Sequence, residues 1–104
     1  MNFNHISNFY LFRFGILSDV HNNNAFSQSN EDIADFENAL TYLNNNMSVN
    51  MTCICGDLTQ DGTEAQFSKY QQLQSRSKTP VYTTTGNHDC TRNSINPVMW
   101  EKYT

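Results

Sequence analysis

Three short runs rich in apolar or β-branched side chains each stop abruptly on a compact polar cluster. The first, residues 9–18, closes on Ser18-Asp19-Val20-His21; the second, residues 49–55, on Gly56-Asp57; the third, Val81 to Thr85, on Gly86-Asn87-His88-Asp89. The intervals between them are long enough for a helix each. Strands joined by crossovers of that length pair in parallel, with right-handed connections. The predicted class is therefore α/β, in the order β-α-β-α-β, with every polar cluster at the C-terminal end of a strand.

The intervals carry helical patterns. Ile33, Phe36, Leu40 and Leu43 are spaced three, four and three apart, which puts them on one stripe of a helix over 31–46. Asn30 is its candidate N-cap, Glu31 and Asp32 suit the positive end of the dipole, and Asn44 to Asn46 stop it. A second helix starts at Thr63, which stands three residues before Gln66 as in a capping box, and buries Phe67, Tyr70 and Leu73. The first strand, nearly continuous in aromatic and aliphatic side chains, reads as buried on both faces. The second alternates, with Val49, Met51, Cys53 and Cys55 on one side and Asn50, Thr52 and Ile54 on the other. Residues 1–8 read as a frayed end that includes His5, and 9–104 as a single domain. The tail from Cys90 has no clear period, although Trp100 and Tyr103 offer large surfaces for packing.

A chain of 104 residues makes one domain with one core. Its net charge of −4 leaves no basic surface for nucleic acid or an anionic membrane, and suits carboxylates that hold cations. No apolar stretch approaches the roughly 20 residues of a membrane span, and residues 9–17 lack the basic leader and cleavage site of a signal peptide. Three cysteines do not make a disulfide framework, so reduced thiols and a cytoplasmic location are expected. Cys53 and Cys55 are expected as small core residues, and Cys90 as incidental.

In open parallel sheets ligands gather beyond the carboxyl ends of the strands. Asp19, His21, Asp57, Asn87, His88 and Asp89 would meet on that rim. Bunched carboxylates repel unless a cation or proton neutralises them, and imidazole, carboxylate and amide oxygen together suit Mn, Zn or Fe. Asp19 and His21, two apart, face the same way if the backbone stays extended. Gly56 permits a sharp turn that frees Asp57 to offer one oxygen to each of two ions.

Asp19-x-His21, Gly56-Asp57 and Gly86-Asn87-His88-Asp89, each closing a strand in that order, resemble the calcineurin-like metallophosphoesterase superfamily over residues 16–90. The resemblance implies the β-α-β-α-β half of a metallophosphoesterase-type α/β sandwich. It implies that Asp19 and His21 bind the first metal, that Asp57 bridges two ions, and that Asn87 binds the second and faces the phosphate. His88 would protonate the leaving alkoxide, with Asp89 orienting it. The implied cofactors are two divalent ions (Mn, Fe, Zn or Co), and the implied substrate is a small phosphomonoester or phosphodiester attacked by a metal-activated water. Ions about 3.5–4 Å apart stabilise both attacking and leaving oxygens of an in-line displacement.

The family adds histidines from a later segment ending in Gly-His-x-His, whereas this chain has only His5, His21 and His88. The expectation is a truncated domain, completed by a dimer partner or by the missing C-terminal half. Gly56-Asp57-Leu58-Thr59-Gln60 lacks the arginine that protein Ser/Thr phosphatases place after this motif, which points to the broader phosphohydrolase and phosphodiesterase branch. The rival expectation is a non-catalytic relative that binds one ion weakly or associates with a partner. An unrelated metal-binding α/β domain is the third.

Overall fold

A computed structural model describes residues 12–23, 31–90 and 96–104, and only the backbone of 31–33. His5, Asn24, Asn30 and residues 9–11 of the first predicted strand lie outside the described residues. Strand β1 spans Phe14–Leu17, helix α1 Glu31–Thr41, strand β2 Met51–Cys55, helix α2 Glu64–Gln74, strand β3 Val81–Thr84 and helix α3 Pro97–Tyr103. The three strands form one parallel sheet in the order β1-β2-β3. This is the predicted β-α-β-α-β arrangement, with α3 added.

α1 continues into a single wider turn over Tyr42–Asn46, closed by the Met47 amide on the Tyr42 carbonyl at 3.1 Å. The asparagines end the helix as expected, and they also anchor it. Asn44 Nδ2 donates back to the Leu40 carbonyl, and its Oδ1 accepts from the Lys78 amide ahead of β3. Thr63 caps α2 by accepting from the Gln66 amide at 3.3 Å. The Gln66 side chain does not complete a capping box with Thr63; it pairs with Asp61 through both amide atoms.

The core lies between the sheet and its helices. Ile54 of β2, Phe36 and Leu40 of α1, and Phe67, Tyr70 and Leu73 of α2 are buried together with Leu58 and Tyr103. The Phe36 and Tyr70 rings stack at 5.6 Å, and Trp100 of α3 meets Phe67 edge-on at 6.1 Å. The loose tail thus gains a helix after Asn96, whose side chain accepts from Val98 and Met99, with Pro97 in the first turn. At the other end Leu43 presses on β1 at Gly15, where a Cβ would stand 2.6 Å from Leu43 Cδ1.

Two expectations are corrected here. β1 is not buried on both faces: Phe14 and Ile16 are 57% and 62% exposed. The cysteines of β2 are not core either. The alternation is real, but the helices cover the Thr52–Ile54 face, leaving Cys53 half-buried and Cys55 exposed. Ile16, Cys53 and Tyr82 stand in register across the open face. All three described cysteines are free. No helix among the described residues is long and apolar enough to cross a membrane.

Candidate metal centre

The segments beyond β1 and β2 run side by side and prolong the parallel pairing past the sheet. The Asp19 amide donates to the Gly56 carbonyl, His21 to Asp57, and Asn22 to Leu58; the Gln60 amide returns a bond to Asn22. Asn22 is fully buried, and its side chain donates to the Gln66 carbonyl of α2 at 2.6 Å. This pairing carries an unusual backbone. Asp19, His21 and Asp57 all have positive φ, at 56°, 46° and 51°. Only Ser48 joins them among the described non-glycine residues. Left-handed backbone at a non-glycine residue costs on the order of 1–3 kcal/mol and persists only where surrounding contacts hold it. Asp19 and His21 therefore converge, but not through the extended backbone expected for residues two apart.

The third segment is pinned to the second through Asp89. This buried carboxylate accepts from the amides of Leu58, Thr59 and Gly86 at 3.1, 2.8 and 2.9 Å, and from Thr59 Oγ1 at 2.9 Å. Its bond from Gly86 has the spacing of an N-cap and the third helical position. Tyr70 lies beneath, and burial together with the Asp89 charge pushes its phenol well above the ordinary range. The Gln60 carbonyl lies 2.7 Å from His88 Nδ1 and fixes that ring. A carbonyl only accepts, so His88 Nδ1 carries the proton.

Asp57 stands at the centre. Its Oδ1 accepts from the His88 amide at 3.0 Å, and its Oδ2 lies 3.5 Å from His21 Nε2. The space that it uses exists because residue 86 has no side chain: a Cβ there would stand 2.0 Å from Asp57 Oδ1. Asp19 Oδ1 lies 3.6 Å from the same His21 nitrogen, so two carboxylates flank one imidazole. The Ser18 hydroxyl, donating to Asp19, holds that carboxyl below its usual range, with His21 adding to the effect. The His21 and His88 rings meet edge to face at 4.6 Å. Asn87 is exposed and opens the turn that carries His88.

His21, Asp57 and His88 each offer a donor atom within 4.8 Å of the others. The separations suit a small divalent ion. With metal–donor distances of about 2.0–2.2 Å, the donors around a tetrahedral ion stand about 3.3–3.6 Å apart. Two carboxylates held against one imidazole nitrogen also make a setting that a bound cation stabilises. The residues present therefore fit a divalent metal, with Asp19 and Asp57 on either side of His21.

Sequence reasoning missed Gln60, which touches both histidines: its side-chain Oε1 lies 3.0 Å from His21 Nδ1. No side-chain pattern marks it, since half of its contact is a backbone carbonyl.

No curated protein sequence matches the chain. The family model for calcineurin-like phosphoesterases matches residues 12–103, a span that takes in all three strands and each of the converging polar clusters. With that match over most of its length, the chain belongs to the calcineurin-like phosphoesterase family.

Proposed function

We propose that this chain hydrolyses a small phosphomonoester or phosphodiester at a centre of two divalent ions, with Asp19, His21, Asp57 and Asn87 as ligands and Asp57 as the bridge. One observation carries the reading: Asp19 and Asp57 each bring a carboxylate oxygen to His21 Nε2, at 3.6 and 3.5 Å, on loops where all three residues are left-handed. Divalent ions bound there supply Lewis acidity toward the phosphoryl oxygens and a nucleophile from water near neutral pH. Mn, Fe, Zn and Co all accept these donors, so availability selects among them. The missing arginine after Gly56-Asp57 favours the phosphohydrolase and phosphodiesterase branch over protein Ser/Thr phosphatases.

The chain's own residues perform the remaining tasks. The His88 amide fixes one oxygen of Asp57 and turns the other toward His21. With Nδ1–H held on the Gln60 carbonyl, His88 acts as the acid when its ring is protonated on both nitrogens, and the Nε2 proton is the one delivered to the departing alkoxide. A positioned acid of this kind contributes roughly 10²–10⁴ in rate. Asp89 keeps the second and third loops together, and so sets the distance between His88 and Asp57.

A second reading has one observation in its favour. Because a His88 ring nitrogen belongs to the same donor group, a single ion could be held by His21, Asp57 and His88 without turnover. His88→Ala separates the two readings. As a general acid, His88 is dispensable for metal retention, and its loss lowers hydrolysis of p-nitrophenyl phosphate or its bis-ester by about 10²–10⁴-fold. If His88→Ala strips the metal and the unmodified protein turns over neither ester, the single-ion reading stands instead.

A further inference from the structure

We infer that Gln60 is the positioning residue of the centre: it selects the ring tautomer of both histidines, through its side chain for His21 and its backbone carbonyl for His88. Gln60 Oε1 lies 3.0 Å from His21 Nδ1, and Gln60 O lies 2.7 Å from His88 Nδ1. Both oxygens accept and neither donates, so each ring carries a proton on Nδ1, and in its neutral form keeps the Nε2 lone pair free. For His21, that free nitrogen is the one between Asp19 and Asp57. In the opposite tautomer an N–H would occupy the position that a cation needs.

Gln60 is well placed for this work because both of its neighbours are fixed. Thr59 is buried and held by Asp89 through amide and hydroxyl, and the Thr59 hydroxyl also accepts from the Gly62 amide. Asp61 is clasped by Gln66 of α2. The Gln60 amide is itself bonded to the Asn22 carbonyl, one residue beyond His21. Partners that orient a ligating histidine typically contribute 10–100-fold to metal affinity. The tautomer assignment stands on these contacts alone, whereas the effect on metal affinity rests on the proposed metal centre.

The test is the ¹⁵N signature of the two rings in the metal-free protein at about pH 8, where ordinary histidines are neutral. Both are expected as the Nδ1–H form. Gln60→Leu removes the side-chain acceptor but keeps the carbonyl, so His21 shifts toward the Nε2–H form while His88 does not move. Gln60→Glu keeps an acceptor and restores the wild-type His21 signal. In a Mn²⁺ titration, Gln60→Leu weakens binding by about 10–100-fold. An Nε2–H tautomer at His21 in the wild-type spectrum overturns the inference even if neither variant folds. So does a His21 signal unchanged in a folded Gln60→Leu protein. Wild-type protein that binds no Mn²⁺ while showing both Nδ1–H rings contradicts the metal centre and leaves the Gln60 assignment standing.

Discussion

Gly86 shows how little room the centre leaves at the level of single atoms. Its backbone is extended, so no left-handed conformation demands glycine there. What demands it is Asp57, whose Oδ1 and amide nitrogen would lie 2.0 and 2.4 Å from a Cβ. The second of these is a backbone atom and cannot rotate away. Gly86→Ala should therefore push the second and third loops apart, cost about 1–3 kcal/mol as overpacking does, and weaken metal binding. Thermal unfolding beside a Mn²⁺ titration checks both effects; an alanine variant with unchanged Tm and affinity would refute the close approach. At this scale the sequence was legible in kind and less so in geometry. Asp19, His21, Asp57 and His88 come together because strand ends deliver them to one rim, and the order of motifs announces that. The left-handed backbone at three of them leaves no mark in residue type, since aspartate and histidine also occur freely in extended chain. The Gln60 carbonyl that meets His88 Nδ1 had no signal at all, because a backbone atom is silent in any side-chain pattern.

Among the elements, α3 is the one that periodicity did not reveal, because seven residues make too short a helix for a stripe to repeat. Asn96-Pro97 was its readable signal, as N-cap and first turn. Its attachment to α2 has a testable pH dependence. The Tyr103 hydroxyl donates to Glu64 at 2.7 Å, and with Lys102 it holds the Glu64 carboxyl below its ordinary 4.5. A carboxylate lowered on folding stabilises the fold above its unfolded value and loses that contribution as pH falls through the folded one. Trp100, in the same helix as Tyr103 and packed on Phe67 of α2, should report the loosening of α3 below pH 4.5. Tyr103→Phe removes the largest cause of the shift, so the acid transition in Trp100 fluorescence should move up toward 4.5. An unmoved midpoint would mean that the pair does not link these helices. β2 teaches the complementary lesson. Its period of two was visible, but threonine and cysteine are both small enough for either side. The position of α1 and α2 decided which face was covered.

At the scale of the whole sheet, one face is core and the other is open among the described residues. Ile54 is 1% exposed and Ile16 is 62% exposed on neighbouring strands. Ile54→Ala should cost about 2–5 kcal/mol. Ile16→Lys should stay within about 0.5 kcal/mol, as surface substitutions do. Urea unfolding of the two variants checks the asymmetry, and equal losses would mean that the Ile16 face is covered in solution. The covered face also organises the rim, because α2 holds both Asn22 and Asp61 and thereby ties the first two loops to the core. The central claim, that the loops exist to hold metal around Asp57, is tested most directly by elemental analysis. Wild-type and Asp57→Asn proteins, each purified with Mn²⁺ and then desalted, are compared for bound ions per chain. The expected result is metal retained by the wild type and lost from Asp57→Asn, with two ions per chain for the dinuclear centre. Equal retention by both proteins, or none in the wild type, would contradict it.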